Sequence, residues 1–231
     1  FHYLDEIRVK DLDASQFTDE LVAKLGADFQ DQDKFGRLKI ITDLGLEDTA
    51  ACTNIKKSGQ PIAYPDETPV AGCVYEDLYS FGSRSFTIWD TTTGRPVFDS
   101  GSDFERITAQ RLGASFNASN DSNDGDDRSD DKGPEPEAVE IATIEGTTFA
   151  FIALERVGGI MVYNITNPQN AEFVQYINPR DFTVGDDVVE SNLAGPLGPE
   201  DAKFITQDGA MYLLVSNEVS GTLSVYSVTT L

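Results

Sequence analysis

The sequence predicts an all-β fold, a β-propeller-like stack of antiparallel four-stranded blades with short helical insertions. Three observations point that way. First, residues 138–144, 147–154, 159–165 and 173–177 read as consecutive short strands, separated by Glu145-Gly146, Arg156-Val157-Gly158 and Asn167-Pro168-Gln169-Asn170. Four antiparallel strands in about 40 residues make one propeller blade. Second, Glu155–Tyr163 lies on Glu218–Tyr226 without a gap, matching Glu with Glu, Gly with Gly, Ile with Leu, Val with Val and Tyr with Tyr. Gly133-Pro134-Glu135 and Gly198-Pro199-Glu200 precede the two copies, and a weaker third copy ends in Phe86-Thr87-Ile88-Trp89-Asp90. Chance likeness of two hairpins is the alternative to a true repeat. Third, the last unit shows strands at 202–206, 211–216 and 223–228 but no fourth. The propeller therefore reads as incomplete, or as completed by another chain, because an unpaired edge strand invites association.

Taken in order, residues 1–34 form an N-terminal segment that completes a blade here or in a neighbour. Ile7, Val9 and Leu12 suit a strand. Residues 16–25 suit a short helix, with Phe17, Leu21, Val22 and Leu25 on one face and Gly26 at the C-terminal cap. The propeller-like domain then spans 35–231. It opens with a strand at 37–41 and carries a cysteine loop at 45–77 and an acidic loop at 116–137. A helix is expected after residue 101. Ser102 and Glu105 have capping-box spacing, Phe104, Ile107 and Leu112 share a face, and Gly113 ends it.

Composition narrows the functions. The chain has 231 residues, with 17 Lys and Arg against 40 Asp and Glu, a net charge of −23. Such charge argues against nucleic acid or an anionic membrane as partner, since both need a cationic surface. His2 is the sole histidine. That argues against His-ligated zinc and against Ser-His-Asp or Cys-His catalysis within the chain. No run of about 18 apolar residues exists, so no membrane span is expected and any anchor lies outside these residues.

Cys52 and Cys73 bracket a segment rich in Pro and Gly. A disulfide closing it, expected in an oxidising compartment, stabilises by about 3 kcal/mol; two unrelated thiols are the alternative. Three sequons, at Asn117, Asn120 and Asn164, suit the same extracellular or cell-surface setting, although sequons also arise by chance.

Residues 116–140 hold nine acidic and two basic side chains, −7 of the total. Asn120, Asp121, Asp124, Asp126, Asp127, Asp130 and Asp131 cluster about Gly125. Calcium takes six to eight oxygens at about 2.3–2.6 Å, and this loop supplies them without matching an EF-hand. A merely solvated acidic loop is the alternative. A second constellation, Glu135, Glu155, Glu200 and Glu218, recurs at corresponding places of the repeat, with Glu137 beside it. It reads either as salt bridges with Arg84, Arg128 and Arg156 or as a channel site for a metal or ligand.

Longer strings carry a resemblance. Tyr79-Ser80-Phe81-Gly82-Ser83-Arg84-Ser85-Phe86-Thr87-Ile88-Trp89, Val97-Phe98-Asp99-Ser100-Gly101, Arg128-Ser129-Asp130-Asp131-Lys132-Gly133-Pro134-Glu135-Pro136-Glu137 and Ala150-Phe151-Ile152-Ala153-Leu154-Glu155-Arg156-Val157-Gly158-Gly159 resemble the choice-of-anchor I domain family, in order from Phe35 to Val228. The family includes mesenchyme-specific cell-surface glycoproteins linked to calcified skeletons, and domains of bacterial surface or secreted proteins, some described as phosphatases. The resemblance implies a secreted propeller-like domain presented by varied anchors. Family domains are nearly twice this length, and the chain resembles their C-terminal half.

The resulting expectation is a secreted or cell-surface structural or adhesive module, stabilised by Ca2+ and assembling into a homo-oligomer, filament or matrix with surface partners. The alternative is a secreted metal-dependent phosphoesterase, with Arg84 or Arg156 neutralising phosphate. No nucleophile stands out for it. An intracellular interaction propeller is a third reading, opposed by the sequons and cysteines.

Overall fold

The structure is a computed structural model that describes residues 6–48, 50–52, 72–82, 84–185, 188–190 and 193–229. The chain divides into two compact units, Phe1–Gly82 and Ser83–Leu231. Strands dominate, and every ladder between named strands is antiparallel. Among the described residues no sheet closes on itself.

In the first unit, β1 (Glu6–Arg8) pairs with β2 (Lys39–Ile41), and Lys39 bonds Glu6 across the pair at 2.8 Å. Between them runs α1 (Asp19–Leu25). It starts three residues later than the apolar spacing suggested, because the Thr18 hydroxyl accepts the Leu21 N–H and caps it there. Gly26, at φ 97°, ends it as expected. Val9, Leu12, Phe17, Leu21, Phe29, Ile40 and Tyr75 form the core around the Cys52–Cys73 disulfide. β2, within the stretch 37–41 expected as a strand, thus pairs with the N-terminal segment.

The second unit begins with the hairpin β3 (Thr87–Asp90) and β4 (Arg95–Asp99), followed by α2 (Asp103–Leu112). Then come β5 (Pro136–Ile144), β6 (Thr147–Leu154), β7 (Ile160–Asn164) and β8 (Glu172–Ile177), one four-stranded sheet in sequence order. Last come β9 (Pro199–Gln207), β10 (Ala210–Asn217) and β11 (Thr222–Val228), a three-stranded sheet.

Strand alternation places the layers. Phe151, Ala153, Ile160 and Val162 face Ala202, Leu213 and Val215 of the last sheet. Ala150, Ile152, Leu154, Met161 and Tyr163 point the opposite way, onto Phe104 and Ile107 of α2 and onto Phe86. The middle sheet is therefore apolar on both faces, as a sheet packed between two layers must be.

The repeat is more regular than the sequence showed. Pro136 pairs with Leu154 and Pro199 with Asn217, and 199 − 136 and 217 − 154 both equal 63. A β-bulge follows each proline at the same place. The turn Glu145-Gly146 (φ 49° and 86°) recurs as Asp208-Gly209 (φ 51° and 80°), again 63 residues on. The landmark that truly repeats is Pro136-Glu137 with Pro199-Glu200. The sequence match of Gly133-Pro134-Glu135 to Gly198-Pro199-Glu200 is off by two residues.

Candidate functional site: a carboxylate cluster held by arginines

The uniform spacing brings Glu137 and Glu200 to matching positions, and likewise Glu155 and Glu218. Both pairs lie at the ends of the β5–β6 and β9–β10 hairpins opposite their turns. The backbone repeats there too. The Glu155 N–H donates to the Glu135 carbonyl at 2.8 Å, and the Glu218 N–H to the Gly198 carbonyl at 2.7 Å.

The charges at these ends feel one another. Burial raises the carboxyl pKa of Glu155, Arg156 opposes the rise, and Glu135, Glu137 and Glu200 add to it. Burial also raises that of Glu200, with Glu218 and Glu137 adding repulsion and a hydrogen bond joining the Glu200 and Glu218 carboxyls. Like charges in a half-buried site favour sharing protons.

Arginines hold the cluster from one side. The Arg156 Nε donates to Glu135 at 3.0 Å, and its Nη2 lies 3.3 Å from Glu155. Arg128 reaches Glu135 at 2.6 Å and Asp131 at 3.1 Å. Asn120 donates its amide to Glu155 at 3.0 Å. Arg84, expected with this group, sits apart from it in bonding. It pairs with Glu105 at 2.6 Å and donates to the Ser129 and Asp131 carbonyls, each at 2.8 Å. Glu105 is thereby engaged away from the helix start. The expected capping box does not form, and Ser102 makes no side-chain cap.

Arg180 was not anticipated from the sequence. It is buried, and its guanidinium donates to the Ser119 carbonyl at 2.7 Å, the Ser122 carbonyl at 2.7 Å, the Arg156 carbonyl at 3.2 Å and the Asn123 Oδ1 at 3.0 Å. Its plane lies 4.9 Å from the Phe182 ring centre. Burial lowers its pKa to about 10, so it remains charged at neutral pH.

The residues of the acidic loop divide between the network and solvent. Asn120 and Asp131 turn inward to Glu155 and Arg128, while Asp121, Asp124, Asp126 and Asp127 face solvent. Asp130 is half-buried. Among the described residues no three His, Cys, Asp or Glu side chains are grouped to hold a metal ion. Arg84, Arg128, Arg156 and Arg180 bond the loop or the carboxylates beside it. Two sequons fall inside the same network. Asn117 is fully buried and donates to Glu105 and Ser129, and Asn120 is committed to Glu155, so a glycan on either would displace these bonds. Asn164, at the end of β7, is half-buried and leads into a turn.

Residues 61–168 match the choice-of-anchor I domain. The choice-of-anchor match runs from the first unit through β7, a narrower span than the Phe35–Val228 resemblance. It includes Arg84, Glu105, the acidic loop, Arg128, Glu135, Glu155 and Arg156. Arg180, Glu200 and Glu218 lie beyond it and enter through the 63-residue repeat. Gigasin-3a of Magallana gigas is 27% identical over 166 residues, covering 67% of this chain and 58% of that protein. The chain thus spans a little over half the length of this relative. The choice-of-anchor match and the disulfide fit a surface or extracellular module. No helix among the described residues is long and apolar enough to cross a membrane.

Proposed function

We propose that the chain is a structural or adhesive module of a secreted or cell-surface protein, built as part of a β-propeller, assembling with further copies or surface partners and stiffened by calcium at the outer acidic loop. The observation that carries this reading is the pair of open ends on the sheet stack. On the last sheet Leu223 and Val225 are 63% and 59% exposed, whereas their counterparts Ile160 and Val162 are 2% and 4% exposed against the neighbouring sheet. At the other end Val139 and Ile141 of β5 are 59% and 57% exposed. Apolar sheet faces of this kind are covered by another layer in a working molecule.

The disulfide supports an oxidising setting. The solvent-facing Asp121, Asp124, Asp126 and Asp127 support a weak calcium site. Arg84 and Arg156, which a phosphoesterase would use on phosphate, are held by Glu105 and by Glu135 with Glu155. That supports a structural role over phosphoester chemistry.

Sedimentation velocity with calcium and with a chelator tests the reading. Concentration-dependent assembly that a chelator weakens is expected. Assembly indifferent to chelation removes calcium from the proposal. A monodisperse monomer at high concentration in both conditions overturns the assembly.

A further inference from the structure

Among the described residues the last sheet has three strands where its sister sheet has four, and a groove lies where the fourth would run. The groove has a volume of about 620 Å³ and is lined by Phe149, Ile160, Val174, Leu213, Tyr226 and Val228, among others. We infer that it is an acceptor site for one extended strand of a partner polypeptide, adding antiparallel to β11 with two large apolar side chains three residues apart. The inference rests on the 63-residue repeat and not on where the protein works.

The repeat fixes register and chemistry. β11 corresponds to β7, so β8 is the template for the missing strand. In the sister sheet Phe173 stands opposite Tyr163 and Tyr176 opposite Met161, with the bulge at Val174 making their spacing three. Both side chains pack into the core shared with α2, and the Phe173 and Tyr163 rings meet at 5.6 Å. Carried 63 residues on, these positions stand opposite Tyr226 and Ser224 and point into the groove. Ser224 in place of Met161 leaves more room there.

The edge itself is receptive. Residues 219–231 carry no charge, in a chain of net −23. Proteins protect edge strands from pairing with charges and prolines, and β11 has neither. Main-chain pairing plus pockets for alternate side chains is the general mode of strand addition. A second copy is a poorer occupant. Of its edge strands, β8 has Phe173 and Tyr176 packed into its own core and β11 offers one aromatic residue, and the copy brings another −23 of charge.

The test is titration of a fluorescent peptide copying Gln169–Ile177 into the full chain, read by anisotropy and by hydrogen exchange. Saturable binding is expected, with new amide protection in β11 and none lost in β8. The peptide carrying Phe173→Ser and Tyr176→Ser should bind about tenfold more weakly, or less. Val174 is 48% exposed on the groove wall. A Val174→Glu protein should keep its circular dichroism and melting profile and bind the original peptide about fivefold more weakly. Absence of saturation at about 1 mM peptide overturns the inference. So does equal binding of the substituted peptide, and so does loss of protection in β8, which would mean the peptide had displaced its own template. Protection of β11 without peptide, in material that sediments as a dimer, would assign the groove to a second copy and overturn it as well.

Discussion

Arg180 joins the loop at 119–123 to the main chain between β6 and β7. Arg180→Met keeps the apolar stem and removes the guanidinium, leaving the Ser119 and Ser122 carbonyls unpaired. The expected cost is about 3 kcal/mol, a fall in melting temperature of about 6–10 °C for a unit of this size. The carboxylates make a prediction of opposite sign. Glu155 and Glu200 have raised pKa values, so the folded chain binds more protons than the unfolded chain just above the ordinary value of 4.5. Their contribution is full below that value and is lost as pH rises through the raised range. Asp99 and Asp181 are lowered by hydrogen bonds from Thr87 and Thr183 respectively, so their stabilisation is lost as pH falls below the ordinary 3.8. Melting temperature should therefore peak at mildly acidic pH. Glu200→Gln should flatten the decline between the peak and pH 7, and an unchanged profile would refute the coupling. The cluster was legible in the sequence because it repeats. Arg180 was not, because a lone arginine far along the chain carries no spacing signal. Glu105 misled because a capping-box pattern says nothing of an arginine that competes for the carboxylate.

At the scale of elements, the four strands from β5 to β8 and the three from β9 to β11 were readable because apolar alternation and Gly-bearing turns agree. The bulges after Pro136 and Pro199 were not readable. An inserted residue leaves composition unchanged and shifts only the pairing. The proline landmarks were aligned two residues out because Gly-Pro-Glu occurs at 133–135 and again at 198–200, a spacing of 65 and not 63. The turn into β7 depends on glycine for a different reason. Gly159 has φ 86°, and the space its side chain would need is filled by the Ile177 carbonyl, Asn178 and Tyr176. Gly159→Ala should lower stability by about 2 kcal/mol or more, through positive-φ strain and displacement of the end of β8. Thr222→Ala, at the corresponding place beside the open groove, should change melting by no more than about 1–2 °C. The contrast between these two substitutions measures the positive-φ strain and the contact with β8 together. Equal effects would show that the two sites do not share an environment.

The whole molecule has two units, each with its own core. A strand at 37–41 shows its alternation but not its partner, and pairing with β1 assigns it to the first unit. The disulfide belongs entirely to that unit. Cys52 and Cys73 are buried beside Tyr75, whose hydroxyl donates to the Thr42 carbonyl at 2.9 Å. They close a loop with a sequence separation of 21, worth about 3 kcal/mol by chain-entropy reasoning. The second unit holds no cysteine and owes its stability to the stacked sheets and the arginine network. Calorimetry of the full chain should therefore resolve two transitions. The double substitution Cys52→Ser with Cys73→Ser should lower the first unit's transition by about 10 °C or more, a small unit being the more sensitive to a given loss. The second transition should stay in place. A single transition that moves as a whole would mean that the two units melt together, and that the cysteine loop supports the sheet stack as well as the core around Tyr75.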